Sequence, residues 1–247
     1  MEIVGTGFLA RSLRPLAGRH PDTVALAAGE SRTSGATEAD YAREATLLRD
    51  VGKRCAAGGK LLLFFSTAAT GMYGLAEGPG AEDAPVRPAT PYGAHKLALE
   101  RQLRDSGTDH LILRLAHLVG PHGRPHQLVP TLVRQVRAGV VSLHRGAARD
   151  LIGVADMLTI TDRLLGAGLR ADTVNVASGF ATPVEDIADH LARALRLTPR
   201  KEYVDTGVAY AISTQKLRAL VPEVADLGFG PDYYRRVLND FIAADHT

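Results

Sequence analysis

The chain has 247 residues, 45% hydrophobic and 23% charged, and its 29 Lys and Arg nearly balance 27 Asp and Glu, for a net charge of +2. That composition suits one large α/β domain with a small appendage and excludes a general nucleic-acid or polyanion binder, whose basic surplus would cluster on one face. The single cysteine, Cys55, excludes an intramolecular disulfide framework and a multi-cysteine zinc site. No apolar run reaches the ~18 residues of a membrane span, and the start reads as a strand entering a turn rather than a secretory signal, so a cytoplasmic location is expected.

Short apolar strands alternate with helical patterns, which predicts βαβ units and a parallel sheet. Residues 1–4 read as a first strand, followed by a glycine turn and a helix to about residue 18. Residues 23–28 form a second strand. A long helix follows over 38–57, with Tyr41, Ala45, Leu48 and Val51 on one face. Residues 60–65 are the most apolar strand and are expected at the sheet centre, where both faces are covered. Prolines and glycines exclude regular structure over about 71–89. A helix over 92–104 and a strand over 110–115 come next. Beyond a Pro/His/Gly loop at 121–130, the pattern predicts helices over 131–138, 154–167 and 183–195, strands over 140–144 and 173–177, and a final helix over 233–244. There are no internal repeats.

Two motifs carry chemistry. Gly5-Thr6-Gly7-Phe8-Leu9-Ala10 fits G-x-G-x-x-G/A. There the first glycine makes the tight turn, the second admits a pyrophosphate to the backbone, and the small third residue lets helix pack on strand. The acid expected about 20 residues on, for an adenosine ribose, is missing until Glu30. Tyr92-Gly93-Ala94-His95-Lys96 places a phenol and an ammonium one helical turn apart. A neighbouring cation favours phenolate and brings an otherwise poor acid–base group toward the working range. Upstream, the central strand ends in Ser66-Thr67, where parallel sheets place their ligands.

The glycine turn, Ser66-Thr67, Tyr73-Gly74, the Tyr92–Lys96 segment and Arg114-Leu115-Ala116-His117-Leu118-Val119-Gly120-Pro121 stand in the order of extended short-chain dehydrogenase/reductases. The chain resembles most their nucleotide-sugar epimerase/dehydratase/ketoreductase branch. Residues 148–156 are similar to that branch's R-D-F-x-x-V-x-D segment, and 174–179 to its later N-x-x-x-G strand. The resemblance implies an α/β fold: a shortened Rossmann-like, doubly wound parallel sheet. Residues 1–150 would form the dinucleotide-binding core, and 151–247 would complete it and supply a small, interleaved substrate-binding lobe.

It also implies roles. Tyr92 would be the general acid/base, Lys96 would hold the nicotinamide ribose and lower the Tyr92 pKa, and Thr67, or else Ser66, would hydrogen-bond the reacting oxygen. Gly5, Thr6, Gly7, Phe8, Leu9, Ala27, Ala28, Gly29, Arg32, Ser66, Leu115 and His117 would complete the cofactor site. Ala68, His117 and Arg149 would meet the substrate, with Arg149 pairing its diphosphate. The cofactor would be NADP or NAD, NADP being favoured. No metal, nucleic-acid or membrane partner is expected, and a homodimer through helices 40–57 and 92–104 would follow family habit.

Departures from the pattern narrow the reaction. Residues 22–29 have the spacing of a second Rossmann strand but the texture of the family's third, so the second strand and its helix are expected to be deleted. Ser31 and Arg32 would then be the substitutes near a ribose or its 2′-phosphate, or else plain loop residues. Ala68 and Ala69 stand where the dehydratases carry Asp and Glu, and methyl groups cannot shuttle protons. A ketoreductase acting on a nucleotide-linked deoxysugar is therefore the leading expectation. An epimerase is the nearest rival, and a non-catalytic dinucleotide sensor or scaffold is the rival of another class.

Overall fold

A computed structural model describes residues 1–32, 35–69, 72–73, 78–205 and 207–245. The first half runs β1 (Glu2–Val4), α1 (Phe8–Ser12), β2 (Thr23–Leu26), α2 (Glu38–Ala57), β3 (Leu61–Thr67), α3 (Pro91–Asp105), β4 (His110–Leu115) and β5 (His117–Val119). The second half runs α4 (Leu128–Arg137), β6 (Val140–His144), β7 (Ala148–Gly153), α5 (Val154–Gly166), β8 (Asp172–Val176), β9 (Ala181–Pro183), α6 (Val184–Leu195), β10 (Arg200–Val204), α7 (Gln215–Leu220) and α8 (Tyr233–Asp245).

The main sheet is five-stranded and parallel, in the order β1-β2-β3-β4-β8. Its middle strand is β3, whose seven residues are all buried. Alternation along β3 divides the core. Leu62 and Phe64 meet Leu48, Val51, Leu99 and Leu103 of α2 and α3 on one face. Leu61, Leu63 and Phe65 pack with Leu13, Met157, Ile160 and Leu164 on the other. Both faces are thus covered by helices, as a parallel sheet requires. Helix α2 starts where the sequence places it, because Thr37 and Asp40 form a reciprocal capping box. Helix α1 stops at Ser12, short of the expected length, since Pro15 allows only a 3₁₀ turn over Arg14–Leu16.

In a doubly wound sheet of order 3-2-1-4-5-6 the first strand has neighbours on both sides. Here β1 is an edge, and its one partner, β2, lies between it and β3. Residues 23–28 therefore hold the position of the fourth strand in that order. The second strand is absent among the described residues, as expected, and the third is absent with it. The deletion is twice as large as the spacing suggested, and it removes the two strands on the outer side of β1, where an adenosine would lie.

Among the described residues two small sheets stand beside it, β10-β6 and β5-β7-β9. Strands β5, β7, β9 and β10 were not anticipated. Helix α8 locks onto this region through Tyr233, whose hydroxyl donates to Asp156 Oδ2 at 2.5 Å and accepts from the Gly153 N–H at 2.9 Å. Asp150 accepts from the N–H groups of Ser178 and Gly179 and from the Ser178 hydroxyl. That arrangement closes the turn after β8.

Candidate active site

The carboxyl ends of the main strands open on a cavity of about 610 Å³, within the size range of small-molecule sites. At the end of β1, Gly5 has φ +134°, and a Cβ there would come within 2.5 Å of the Ala27 carbonyl oxygen, so only glycine lets β1 and β2 close at this point. Gly7, Phe8 and Leu9 follow as cavity wall. At the end of β3, Thr67 Oγ1 accepts from the Ala69 N–H at 3.0 Å, which leaves its own proton to donate.

Helix α3 is capped by Thr90, whose side chain accepts from the Gly93 N–H at 3.1 Å, with Pro91 at its first position. This start sets Tyr92, half-buried, on the cavity wall and Lys96 one turn deeper, its Nζ 5.7 Å from the Tyr92 ring centre. Lys96 is only 3% exposed and donates to Glu44 Oε1 at 2.6 Å. Burial pushes the Tyr92 phenol above its ordinary pKa. Lys96 pulls it down, while Glu44 and Glu30 push it back up. The expected lowering by Lys96 operates, but the net shift is upward. Burial also opposes the charge on Lys96, yet Tyr92 and Glu44 outweigh it and raise its pKa.

His117 begins β5, in the same wall. Burial, assisted by the Arg149 charge, lowers its pKa to about 3, so the imidazole is neutral. Its Nε2 has no hydrogen-bond partner among the described residues. Arg149 Nη1 is fixed by the carbonyl oxygens of Ala148 and Val208, both at 2.7 Å, and the side chain lines the cavity.

Thus Gly7, Phe8, Leu9, Ala27, Gly29, Ser66, Thr67, Tyr92, Lys96, Leu115, His117 and Arg149 share one cavity. Gly5, Thr6, Ala28, Arg32 and Ala68 are not on its walls. Ala68 is fully buried in the core. Arg32 is committed elsewhere: its Nη2 pairs with Glu30 at 2.8 Å and Asp40 at 2.9 Å. Of the motif Tyr73-Gly74, Gly74 lies outside the described residues. Among the described residues no group of three or more His, Cys, Asp or Glu is arranged to hold a metal ion.

Among the wall residues that the sequence did not point to, two bear charges beside the motifs, Glu44 and Arg124. Glu44 comes from α2. Arg124 comes from the segment after β5, and its Nη2 would stand 2.6 Å from a Cβ on Gly7. That segment crosses the glycine turn. His122 accepts from Arg11 Nη2 at 3.4 Å through its carbonyl, and His126 Nε2 meets Ser31 Oγ at 3.2 Å. Glu44 had a legible signal: it shares the buried stripe with Leu48, Val51 and Cys55, where an acid is out of place. Arg124, in an irregular loop, had none.

A glycine turn, a strand-end threonine and a Tyr-x-x-x-Lys helix around one crevice of a parallel sheet define a protein of the extended short-chain dehydrogenase/reductase type. Residues 10–177 match the model of the NAD dependent epimerase/dehydratase family, and the chain belongs to that family. It is 39% identical over 113 residues to a UDP-glucose 4-epimerase of Azospirillum brasilense, covering 42% of this chain and 32% of that protein. Across the curated relatives it matches, the similarity spans about a third to about half of their length. In fold it is similar to RMD from Pseudomonas aeruginosa, solved with NADPH, with a TM-score of 0.80 at 19% identity, covering 98% of this chain and 97% of that one. It is also similar to WbmG of Bordetella bronchiseptica, solved with NAD and UDP, with a TM-score of 0.74 at 21% identity, covering 98% and 79%. Among the described residues no helix is long and apolar enough to cross a membrane.

Proposed function

We propose that the protein reduces a ketone on a nucleotide-linked sugar with a nicotinamide dinucleotide. The observation that carries this reading is the convergence of Thr67, Tyr92 and Lys96 on the cavity that Gly7 and Arg149 also line. The residues present suit the cofactor. The glycine turn lies directly beside the guanidinium of Arg124, and neutral His117 has a ring nitrogen without a hydrogen-bond partner among the described residues. When bound, the dinucleotide supplies the hydride.

The chain's own groups manage the oxygen. Thr67 donates a hydrogen bond to the carbonyl. Tyr92, a neutral phenol because its pKa is raised, gives its proton to the oxygen as carbon accepts the hydride. The phenolate left behind is stabilised by the Lys96 ammonium and is reprotonated from solvent. A phenol held protonated suits reduction better than oxidation. Arg149 pairs with the diphosphate of the substrate. Ala69 on the cavity wall and Ala68 in the core leave no acid at the dehydratase positions. With Arg32 engaged by two carboxylates, the feature that favoured NADP is gone, and NAD is the cofactor this reading prefers. A homodimer through α2 and α3 belongs to the same reading and is tested by light scattering.

The second reading is an epimerase, favoured by the 39% identity to the Azospirillum brasilense enzyme. Two measurements separate them. A reductase consumes NADH, read as loss of absorbance at about 340 nm, when mixed with a nucleotide-linked keto-sugar. An epimerase releases stoichiometric NAD when denatured and shows no net oxidation. A protein that does neither, and binds no dinucleotide, would sink both.

A further inference from the structure

We propose that Glu44 is a positioning residue for Lys96, a buried carboxylate on α2 that fixes and electrically balances the ammonium beside Tyr92. The inference rests on the assignment of Tyr92 and Lys96 to proton transfer. It adds a residue from an element the motif does not include.

Three donors hold the carboxylate. Lys96 Nζ donates to Glu44 Oε1 at 2.6 Å. Glu44 Oε2 accepts from His95 Nε2 at 2.9 Å and from the Glu30 N–H at 3.0 Å. The His95 ring is itself stacked on Tyr41, one turn back along α2, with ring centres 4.3 Å apart. Gly29 passes so near that an added Cβ would collide with Glu44 Oε1 and stand 2.8 Å from Lys96 Nζ. A carboxylate with three donors cannot swing, and neither can the ammonium it holds. Glu44 is 4% exposed, and burial alone would push its carboxyl up. His95 and Lys96 instead hold its pKa down at about 2, so the pair is ionic.

The pairing has two consequences. A lone ammonium buried this deeply would tend to lose its proton, and the carboxylate keeps it charged. The same carboxylate cancels part of the field that Lys96 exerts on Tyr92, which keeps the phenol protonated as reduction requires. The groups that act on Tyr92 are Lys96 from its own helix, Glu44 and Tyr41 from α2, and Glu30 from the connection between β2 and α2. Glu44 also lines the cavity, so it is more than a clasp between two helices.

The test reads Tyr92 directly. With ¹³Cζ-tyrosine labelling, the Tyr92 resonance is the one lost in Tyr92→Phe. In Glu44→Gln its titration midpoint should fall by about one unit, a tenfold rise in the ionisation constant. A simple packing role would leave the midpoint unmoved in the folded protein, and an unchanged or raised midpoint overturns the proposal. NADH affinity, followed by the fluorescence of the bound nicotinamide, should weaken about tenfold in Glu44→Gln and recover in part in Glu44→Asp. Should Glu44→Gln fail to fold, the wild-type protein still decides: with ¹³Cδ-glutamate, the Glu44 carboxyl must show no titration between pH 6 and about pH 4. A midpoint in the ordinary glutamate range overturns the proposal. A lowered Tyr92 midpoint in a protein that binds no NADH would refute the proposed function while upholding the coupling of Glu44 to Lys96 and Tyr92.

Discussion

Glu100 and Arg114 offer the sharpest stability test, because they tie the helix that carries Tyr92 to the sheet. Arg114 Nε and Nη2 donate to the two Glu100 oxygens at 2.9 and 2.7 Å, a bidentate pair between α3 and β4. Their side chains are 0% and 2% exposed. Arg114 Nη1 also donates to the Tyr73 hydroxyl at 2.7 Å, which passes the bond on to Asn175 Oδ1 at 2.9 Å. Glu100→Gln keeps the shape and removes the charge, leaving a buried guanidinium uncompensated. Breaking one partner of such a pair costs about 3–5 kcal/mol. Glutamine can still accept one of the bonds, so the lower end, about 3 kcal/mol, is expected.

For a domain of this size that is a fall in Tm of about 6–12 °C, read by circular dichroism at pH 7. The Glu100 carboxyl is pushed up by burial but held below its ordinary value by Arg114. Its stabilisation is therefore complete above the unfolded value of about 4.5 and is lost as pH falls below it. The gap between wild type and Glu100→Gln should close in that window. A loss under about 1 kcal/mol at pH 7 would refute the argument, as would a gap that ignores pH.

Tyr92→Phe should lower turnover about 10²–10⁴-fold with NADH affinity unchanged, and comparable loss of binding would assign Tyr92 to the cofactor rather than the proton. Arg124→Ala should weaken NADH and ADP alike by roughly tenfold without altering Tm, since an exposed guanidinium contributes less than a buried one; calorimetric affinities equal to wild type would remove Arg124 from the diphosphate site. Tyr233→Phe leaves the Gly153 N–H and Asp156 short of a partner and should cost about 1–3 kcal/mol in thermal or urea unfolding, with the far-UV spectrum retained.

Much of the architecture is written locally. A helical apolar stripe placed α2 over Glu38–Ala57, and a short apolar run placed β4 over His110–Leu115, both with their true ends, because such patterns are decided within a few residues of chain. Three-residue strands such as β5 and β9 carry too little periodicity to register, and β10, mostly exposed, carries no apolar alternation. The glycine turn and the Tyr92–Lys96 spacing were equally legible, since each is a contiguous motif. What tertiary structure alone decided is which strand stands beside which, and so how much of the sheet is missing. It also decided which distant charges meet. Parallel pairing joins residues separated by whole helices, and Glu44 reaches Lys96 across 52 positions of chain. No local pattern encodes such a contact; only the packing of α2 against α3 over the same strands brings that carboxylate and ammonium together.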